Sequence, residues 1–287
     1  MKTKTILATL LAISLANSAM AQDDKNLLNH LAIGVGVGSP GITVELAAPV
    51  TDYLAVRAGA DIMPKLKFKT TVDIDDSKRR ELNSMLQKQQ QTMDYFNIPN
   101  PNVPGEVDVE GKLNNTTGHV LFDVYPFRNA DWHLTVGAYF GGKKVVNAYN
   151  TDDSQLKGIA DYNNALNDRT FTMPDGTTFN GNDYKMGVRL GDYFLEPDRN
   201  GHVDADIQVK QFRPYVGIGW GRAVPRHHTV GFSIDLGVQF WGKPQVYCQD
   251  HQLTEDNVEG DGGGVIKAIS KVSVYPTLSF KLNCRLF

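Results

Sequence analysis

Apolar and polar positions alternate one for one over long stretches of the chain. The clearest run is "TVGFSIDLGVQFW" (229–241), in which Val230, Phe232, Ile234, Leu236, Val238 and Phe240 are separated by Gly231, Ser233, Asp235, Gly237 and Gln239. A period of two places each set on one face of a β-strand. The run is longer than the five or six residues usual for a strand. Similar runs recur at 31–38, 42–49, 53–63, 117–127, 132–146, 210–223, 229–246 and 272–287. The pattern predicts an all-β chain of eight strands.

The connections between these runs are of two kinds. Short turns are read at "VTD" (50–52), "RNAD" (128–131) and "VPRHH" (224–228), and a tight one at Ser39-Pro40-Gly41. Long insertions cover 64–114, 147–209 and 247–271. If Ser39-Pro40-Gly41 is a turn, it falls on the same side as the insertions, and all other short turns fall opposite. Short turns at one end and long loops at the other is the layout of an antiparallel transmembrane β-barrel with periplasmic turns and extracellular loops. If that tripeptide is only a kink, strands one and two merge and the count is seven.

Alternation fits a soluble sandwich as well as a barrel, so the content of the polar side decides. That side is rich in glycine (Gly34, Gly36, Gly38, Gly59, Gly137, Gly217, Gly219 and Gly237 among them), as in a crowded interior where side-chain size is rationed. By parity it also carries Glu45, Asp61, Asp123 and Asp235 against Arg57, Arg213, Lys281 and Arg285. A narrow lumen tolerates charges only when they are paired, so these eight are expected to form a lumen charge network. The aromatics Tyr53, Phe127, Trp132, Trp220 and Phe287 lie at short-turn ends of strands, and Phe140 and Trp241 lie toward the loop ends. Such girdles mark membrane interfaces. The apolar side of 229–241 is therefore expected to face lipid.

Composition narrows the picture. The opening "MKTKTILATLLAISLANSAMAQ" has a basic start, an apolar stretch and Ala19-Met20-Ala21, the pattern of a secretory signal peptide cut after Ala21. Residues 22–287 are then one barrel domain in the outer membrane. The sequence carries 29 Lys and Arg against 32 Asp and Glu, and the leader takes Lys2 and Lys4 with it, so no nucleic-acid partner is expected. Cys248 follows strand seven at the loop end, whereas Cys284 lies near the far end of strand eight. At roughly 3.3 Å per residue they are tens of ångströms apart, too far for a disulfide.

The insertions carry their own patterns. "KLKFKTTVDID" (65–75) alternates and is expected to return at 106–115. A helix is expected over 77–96, capped by Ser77, with Leu82, Met85, Leu86, Met93 and Phe96 on one stripe packed against the insertion's strands. A second helix is read in "DSQLKGIADYNNALNDRT", with Leu156, Ile159, Ala160 and Leu166 inward. Asp175-Gly176 signals a hairpin. "EPDRNGHVDAD" (196–206) and "DNVEGDGGG" (256–264) are rich in oxygen ligands, but neither has EF-hand spacing. His119 and His133 are read as hydrogen-bonded interior histidines, and His227-His228 as a solvated pair. No Ser-His-Asp arrangement, zinc spacing or phosphate loop is present, so no catalytic residue, metal site or cofactor is nominated.

The segments "VELAAPVTDYLAVRAG", "FRPYVGIGWGRAV", "VGFSIDLGVQFWGKPQV" and "VYPTLSFKLNCRLF" resemble a family of outer-membrane β-barrel proteins. With the leader and the lopsided loops, the chain resembles small Gram-negative barrels of OmpA- or OmpW-like architecture. The resemblance covers the strands and not the insertions. It implies outer-membrane lipid and the barrel-assembly machinery as partners. One feature departs from it: Leu278, Phe280, Leu282, Cys284 and Leu286 share the lipid-facing phase, and Phe287 is one step out. The expected function is display of an extracellular cap that binds an extracellular ligand, without catalysis. The alternatives are a small-solute channel and a lipid-modifying barrel enzyme.

Overall fold

The computed structural model describes residues 30–190, 193–249, 251–253 and 272–287. The proposed leader and the glycine-rich 256–264 lie outside the described residues. Eight strands close into an antiparallel barrel: β1 (Ala32–Gly38), β2 (Gly41–Thr51), β3 (Leu54–Ile62), β6 (Thr117–Val124), β7 (Trp132–Gly141), β14 (Phe212–Trp220), β15 (Val230–Phe240) and β18 (Val274–Arg285). Each pairs with its neighbour in sequence order within the barrel, and β18 pairs with β1 to close it. Ser39-Pro40 is a two-residue turn, with Gly38 opposite Gly41 in the ladder. Gly41 has φ +114°, a left-handed backbone that β-branched or bulky residues avoid. The strand count is therefore eight, not seven.

The two faces of the strands differ as the alternation requires. Val35, Val44, Phe122, Val136, Ile218, Phe232, Leu236 and Phe280 are exposed on the outside, Phe232 by 62%. An unbroken apolar belt of this kind on a closed barrel has hydrocarbon as its natural contact, because closure leaves no unpaired sheet edge. Tyr53, Phe127, Trp220 and Phe287 are exposed at the short-turn end, where Trp132 is paired with Trp220. Phe140 sits near the other rim with its ring 5.4 Å from Phe212. Phe287 lies beyond the last ladder pair, since β18 ends at Arg285 without a bulge against β1 or β15.

The insertions build a second sheet rather than separate loops. Its eight strands run in the order β12 (Tyr193–Leu195), β11 (Gly187–Leu190), β4 (Lys67–Asp75), β5 (Glu106–Leu113), β8 (Lys144–Asn150), β13 (Asp204–Gln208), β16 (Gln245–Cys248) and β17 (His251–Gln252). Residues 144–146 and 245–246 belong to this sheet and not to the barrel strands that the alternation had extended through them. A small hairpin, β9 (Thr170–Thr172) and β10 (Thr178–Asn180), turns at Asp175-Gly176. Helix α1 (Ser77–Lys88) and helix α2 (Ser154–Leu166) contribute Leu82, Leu86, Leu156, Ile159 and Leu166 to one apolar core with the strands.

Two details differ from the sequence reading. Helix α1 stops at Lys88, and a 3₁₀ turn covers Met93–Phe96. No apolar residue lies between Leu86 and Met93, so nothing in that stretch can be buried to hold a helix. Gln90 adopts φ +52° instead, and Met93 and Phe96 reach the core from the new direction. Ser77 does not cap the helix with its side chain. Asp75 accepts from the Ser77 amide at 3.0 Å and from Arg189 Nε at 2.7 Å.

Cys248 and Cys284 are both free, one in β16 and one near the far end of β18. Burial pushes the Cys248 thiol up to about 11. A folded-state value above that of the unfolded chain, roughly 8.5, means that this group favours folding below the unfolded value. That contribution is lost as pH rises toward 11. Maleimide labelling of Cys248 at neutral pH is accordingly expected to be negligible until the second sheet unfolds. Rapid stoichiometric labelling of the folded protein would show the thiol to be open.

Candidate functional site

Five of the eight charges expected in the lumen form one cluster, in which the Arg57 guanidinium meets the three acids Glu45, Asp123 and Asp235 and Lys281 meets two of them. Arg57 is 1% exposed. Its Nε and Nη2 each approach Asp123 at 2.7 Å, Nη2 also reaches Asp235 Oδ1 at 3.0 Å, and Nη1 reaches Glu45 Oε1 at 3.3 Å. Lys281 Nζ lies 2.9 Å from both Glu45 Oε1 and Asp235 Oδ2. Asp61 stands beside this group, accepting from Thr43 at 2.6 Å and facing His119 Nδ1 at 2.7 Å. His119 Nε2 faces Glu45 at 3.0 Å. Both His119 nitrogens thus meet carboxylates, a pattern satisfied when each carries a proton. His133 Nε2 meets Asp235 at 2.9 Å. These side chains come from β2, β3, β6, β7, β15 and β18, so the network ties six strands of the barrel across its interior.

Arg213 and Arg285 lie outside that network. Arg213 sits at the long-loop rim, donating to Asn115 Oδ1 and the Gly142 carbonyl, both at 2.7 Å. Arg285 lies at the short-turn mouth and donates to the carbonyls of Pro225 and Arg226. Parity along a strand fixes the side a residue faces but not its height, and height separates these two from the acids. Trp241 is also displaced from the expected girdle. It is 5% exposed, stacks on Tyr275 with ring centroids 4.9 Å apart, and donates to the Val272 carbonyl at 2.7 Å. Here the chain is leaving β15 for the second sheet, and the indole packs inward at the junction. His227 and His228 are exposed in their turn.

Small residues make room for the network. Gly219 sits between His133 on one neighbouring strand and Asp235 on the other. A Cβ at Gly219 would collide with the His133 ring and come within 2.8 Å of Asp235 Oδ1. Gly219→Val is expected to lower stability by about 1–3 kcal/mol through overpacking. Gly118→Ala meets nothing closer than 3.6 Å and should be silent. Equal unfolding midpoints for the two variants in detergent would contradict this account of the lumen.

Asp123, His133 and Asp235 also bring three ligating atoms within 4.8 Å of one another. The Arg57 guanidinium already sits on both of these carboxylates, so a metal cation would meet a fixed positive charge. The donor set does not fit a resident metal.

The short-turn mouth is closed by a feature the alternation did not reveal. Ala223, Val224 and Pro225 fold inward, and Ala223 and Val224 pack against Ala32 and Ala47. The Ala223 amide donates to the Tyr125 hydroxyl at 3.2 Å, and Asn283 donates to the Arg222 carbonyl at 3.1 Å. The signal in the sequence was the run Ala223-Val224-Pro225, three apolar residues where a solvated turn would be polar.

By its own strand order and apolar outer belt, the fold is a closed, eight-stranded antiparallel β-barrel of the transmembrane type. Solved structures of outer-membrane proteins align with this chain only at low similarity. Acinetobacter baumannii CarO aligns over 91% of this chain and 99% of its own, with 13% identity and a TM-score of 0.43. A major outer membrane protein from Thermus thermophilus aligns over 90% and 99%, with 12% identity and a TM-score of 0.30. Neisserial surface protein A aligns over 89% and 92%, with 8% identity and a TM-score of 0.23. At these scores the likeness carries no argument about what this chain does. No protein-family model and no curated protein matches the sequence.

At the long-loop end, the candidate surface is the polar face of the second sheet. Register places Lys67, Lys112, Asn147, Asp206, Tyr247 and Gln252 in one row across six strands. The adjoining row holds Lys69, Glu110, Tyr149 and Asp204. Lys112 lies over the Tyr149 ring at 4.1 Å, and Lys67 pairs with Glu110 at 3.0 Å. Tyr149 also bonds Glu110, and Lys144 bonds Asp206. The Glu110 carboxyl is held below its ordinary value chiefly by the hydrogen bond from Tyr149, then by that from Lys67. The opposite face carries Val72, Val107, Val109, Ala205, Ile207 and Val246 into the core.

Proposed function

We propose that this chain is an integral outer-membrane β-barrel with a closed lumen, and that its second sheet is an extracellular cap that binds ligand without catalysis. The observation that carries the closed lumen is the Arg57-centred network, which joins six strands through side chains that are almost wholly buried. A water-filled pore of useful width has no place for such bridges, and eight-stranded barrels are narrow enough for side chains to fill. What supports the binding reading is that the cap has its own apolar core and still presents two rows of polar and tyrosine side chains on a regular sheet. Side chains held by ion pairs on rigid strands need little ordering when a partner arrives.

Two measurements test the reading. Reconstituted into planar bilayers, the protein is expected to show no steady open conductance. A persistent open state would favour the solute-conduit alternative. In intact cells, protease is expected to cleave in the second-sheet connections and leave the barrel intact. Complete protection of those connections would place them on the wrong side of the membrane for display.

A further inference from the structure

Four arginines crowd the short-turn mouth of the barrel, and one carboxylate serves two of them. Asp52 pairs with Arg128 at 3.1 Å and with Arg226 at 3.3 Å. Arg222 and Arg285 are in no ion pair among the described residues. Arg222 donates to the Arg128 carbonyl at 2.7 Å, and its guanidinium lies 4.3 Å from the Tyr125 ring centre. Arg285 donates to the carbonyls of Pro225 at 3.3 Å and Arg226 at 2.8 Å. Asp131 is the other acid acting on Arg222. Between these groups is a cleft of about 180 Å³, lined by Arg222, Arg226, Arg285, His30, Tyr125 and Asp52. For scale, a cavity of about 150 Å³ admits benzene.

We propose that this cleft is a binding site for a small multivalent oxyanion, bearing carboxylate or phosphate groups. Arg222, Arg226 and Arg285 are each partly buried, and a guanidinium withdrawn from water without a carboxylate partner is costly. The planar fork of arginine matches paired oxyanion oxygens, and charge-assisted bonds of this kind are the strong ones. The positions are set before any ligand arrives. Tyr125 supports Arg222 from below, and the Pro225 and Arg226 carbonyls, next to the inward-folded Ala223 and Val224, hold Arg285. The site lies at the opposite end of the barrel from the second sheet, so the two proposals stand or fall separately.

The test uses the full processed chain in detergent, titrated calorimetrically with citrate and with pyrophosphate at ionic strength held constant by sodium chloride. One saturable site is expected, weakened about tenfold or more by Arg222→Gln or Arg285→Gln and unchanged by Lys78→Gln on helix α1. Saturation by either probe alone supports the proposal and assigns the oxyanion chemistry. Heat-modifiable gel migration checks that each variant folds. Should a variant not fold, phenylglyoxal modification of the unaltered protein serves instead: citrate or pyrophosphate is expected to protect Arg222 and Arg285 while Arg80 reacts. No saturable binding and no protection overturns the proposal, as does binding that the Lys78→Gln control weakens equally. Binding seen only after Asp23→Asn and Asp24→Asn also overturns it, because the cleft would then belong to the chain's own acidic start.

Discussion

Arg57→Leu is expected to be the most damaging single substitution in the barrel. It removes the one cation that touches Asp123, Asp235 and Glu45 together, and leaves Asp123 0% exposed with no other basic group closer than His133 at 3.9 Å. Breaking a buried ion pair from one side costs about 3–5 kcal/mol, because the abandoned charge stays buried. The variant is expected to unfold at much lower denaturant in detergent and to lose its heat-modifiable band. Adding Asp123→Leu should recover part of the loss, since removing both partners costs less than stranding one. Arg57→Leu within about 0.5 kcal/mol of the parent, the range of an ordinary surface change, would refute the central role given to this residue. Lys281→Met should cost less, because Arg57 still reaches the two acids that Lys281 serves.

Trp241→Ala is expected to have the next largest effect, and to divide the molecule. The indole is buried in the second core, stacked on Tyr275, and bonded to the Val272 carbonyl. Truncating a buried Trp costs about 3–5 kcal/mol, and here the unpaired carbonyl adds to it. Protease cleavage should spread from the connections into the strands of the second sheet and Cys248 should label, while the barrel keeps its heat-modifiable migration. Loss of barrel and second sheet together in one transition would show that they do not unfold separately. Leu156→Ala, fully buried on α2, should give the same pattern at about 2–5 kcal/mol without touching the barrel rim.

The lumen and the belt were legible because a strand has a period of two. Once Phe232 is outside, Asp235 is inside, and no tertiary detail can alter that without a bulge. The same rule placed Glu45, Arg57, Asp123 and Lys281 on one side of their strands. It could not say which of them meet. Asp123 and Asp235 find Arg57 because barrel shear brings those positions to one height, whereas Arg213 and Arg285 face inward too high and too low. His119 and His133, read from parity as hydrogen-bonded interior histidines, complete the network in their stead, and only their carboxylate partners were not legible.

By itself, the sequence determined the alternating strands, which connections are short and which are long, the apolar outer belt and the polar, glycine-spaced interior, while the choice between eight and seven strands waited on the turn at Ser39-Pro40. These follow from local geometry and from which atoms can leave water. Only the tertiary structure decided that three separate insertions join into one eight-stranded sheet, that Trp241 turns inward, that Ala223, Val224 and Pro225 fold back into the mouth, and that one arginine gathers three acids. Those outcomes depend on register and shear between strands far apart in the chain, and alternation within a strand carries no information about either.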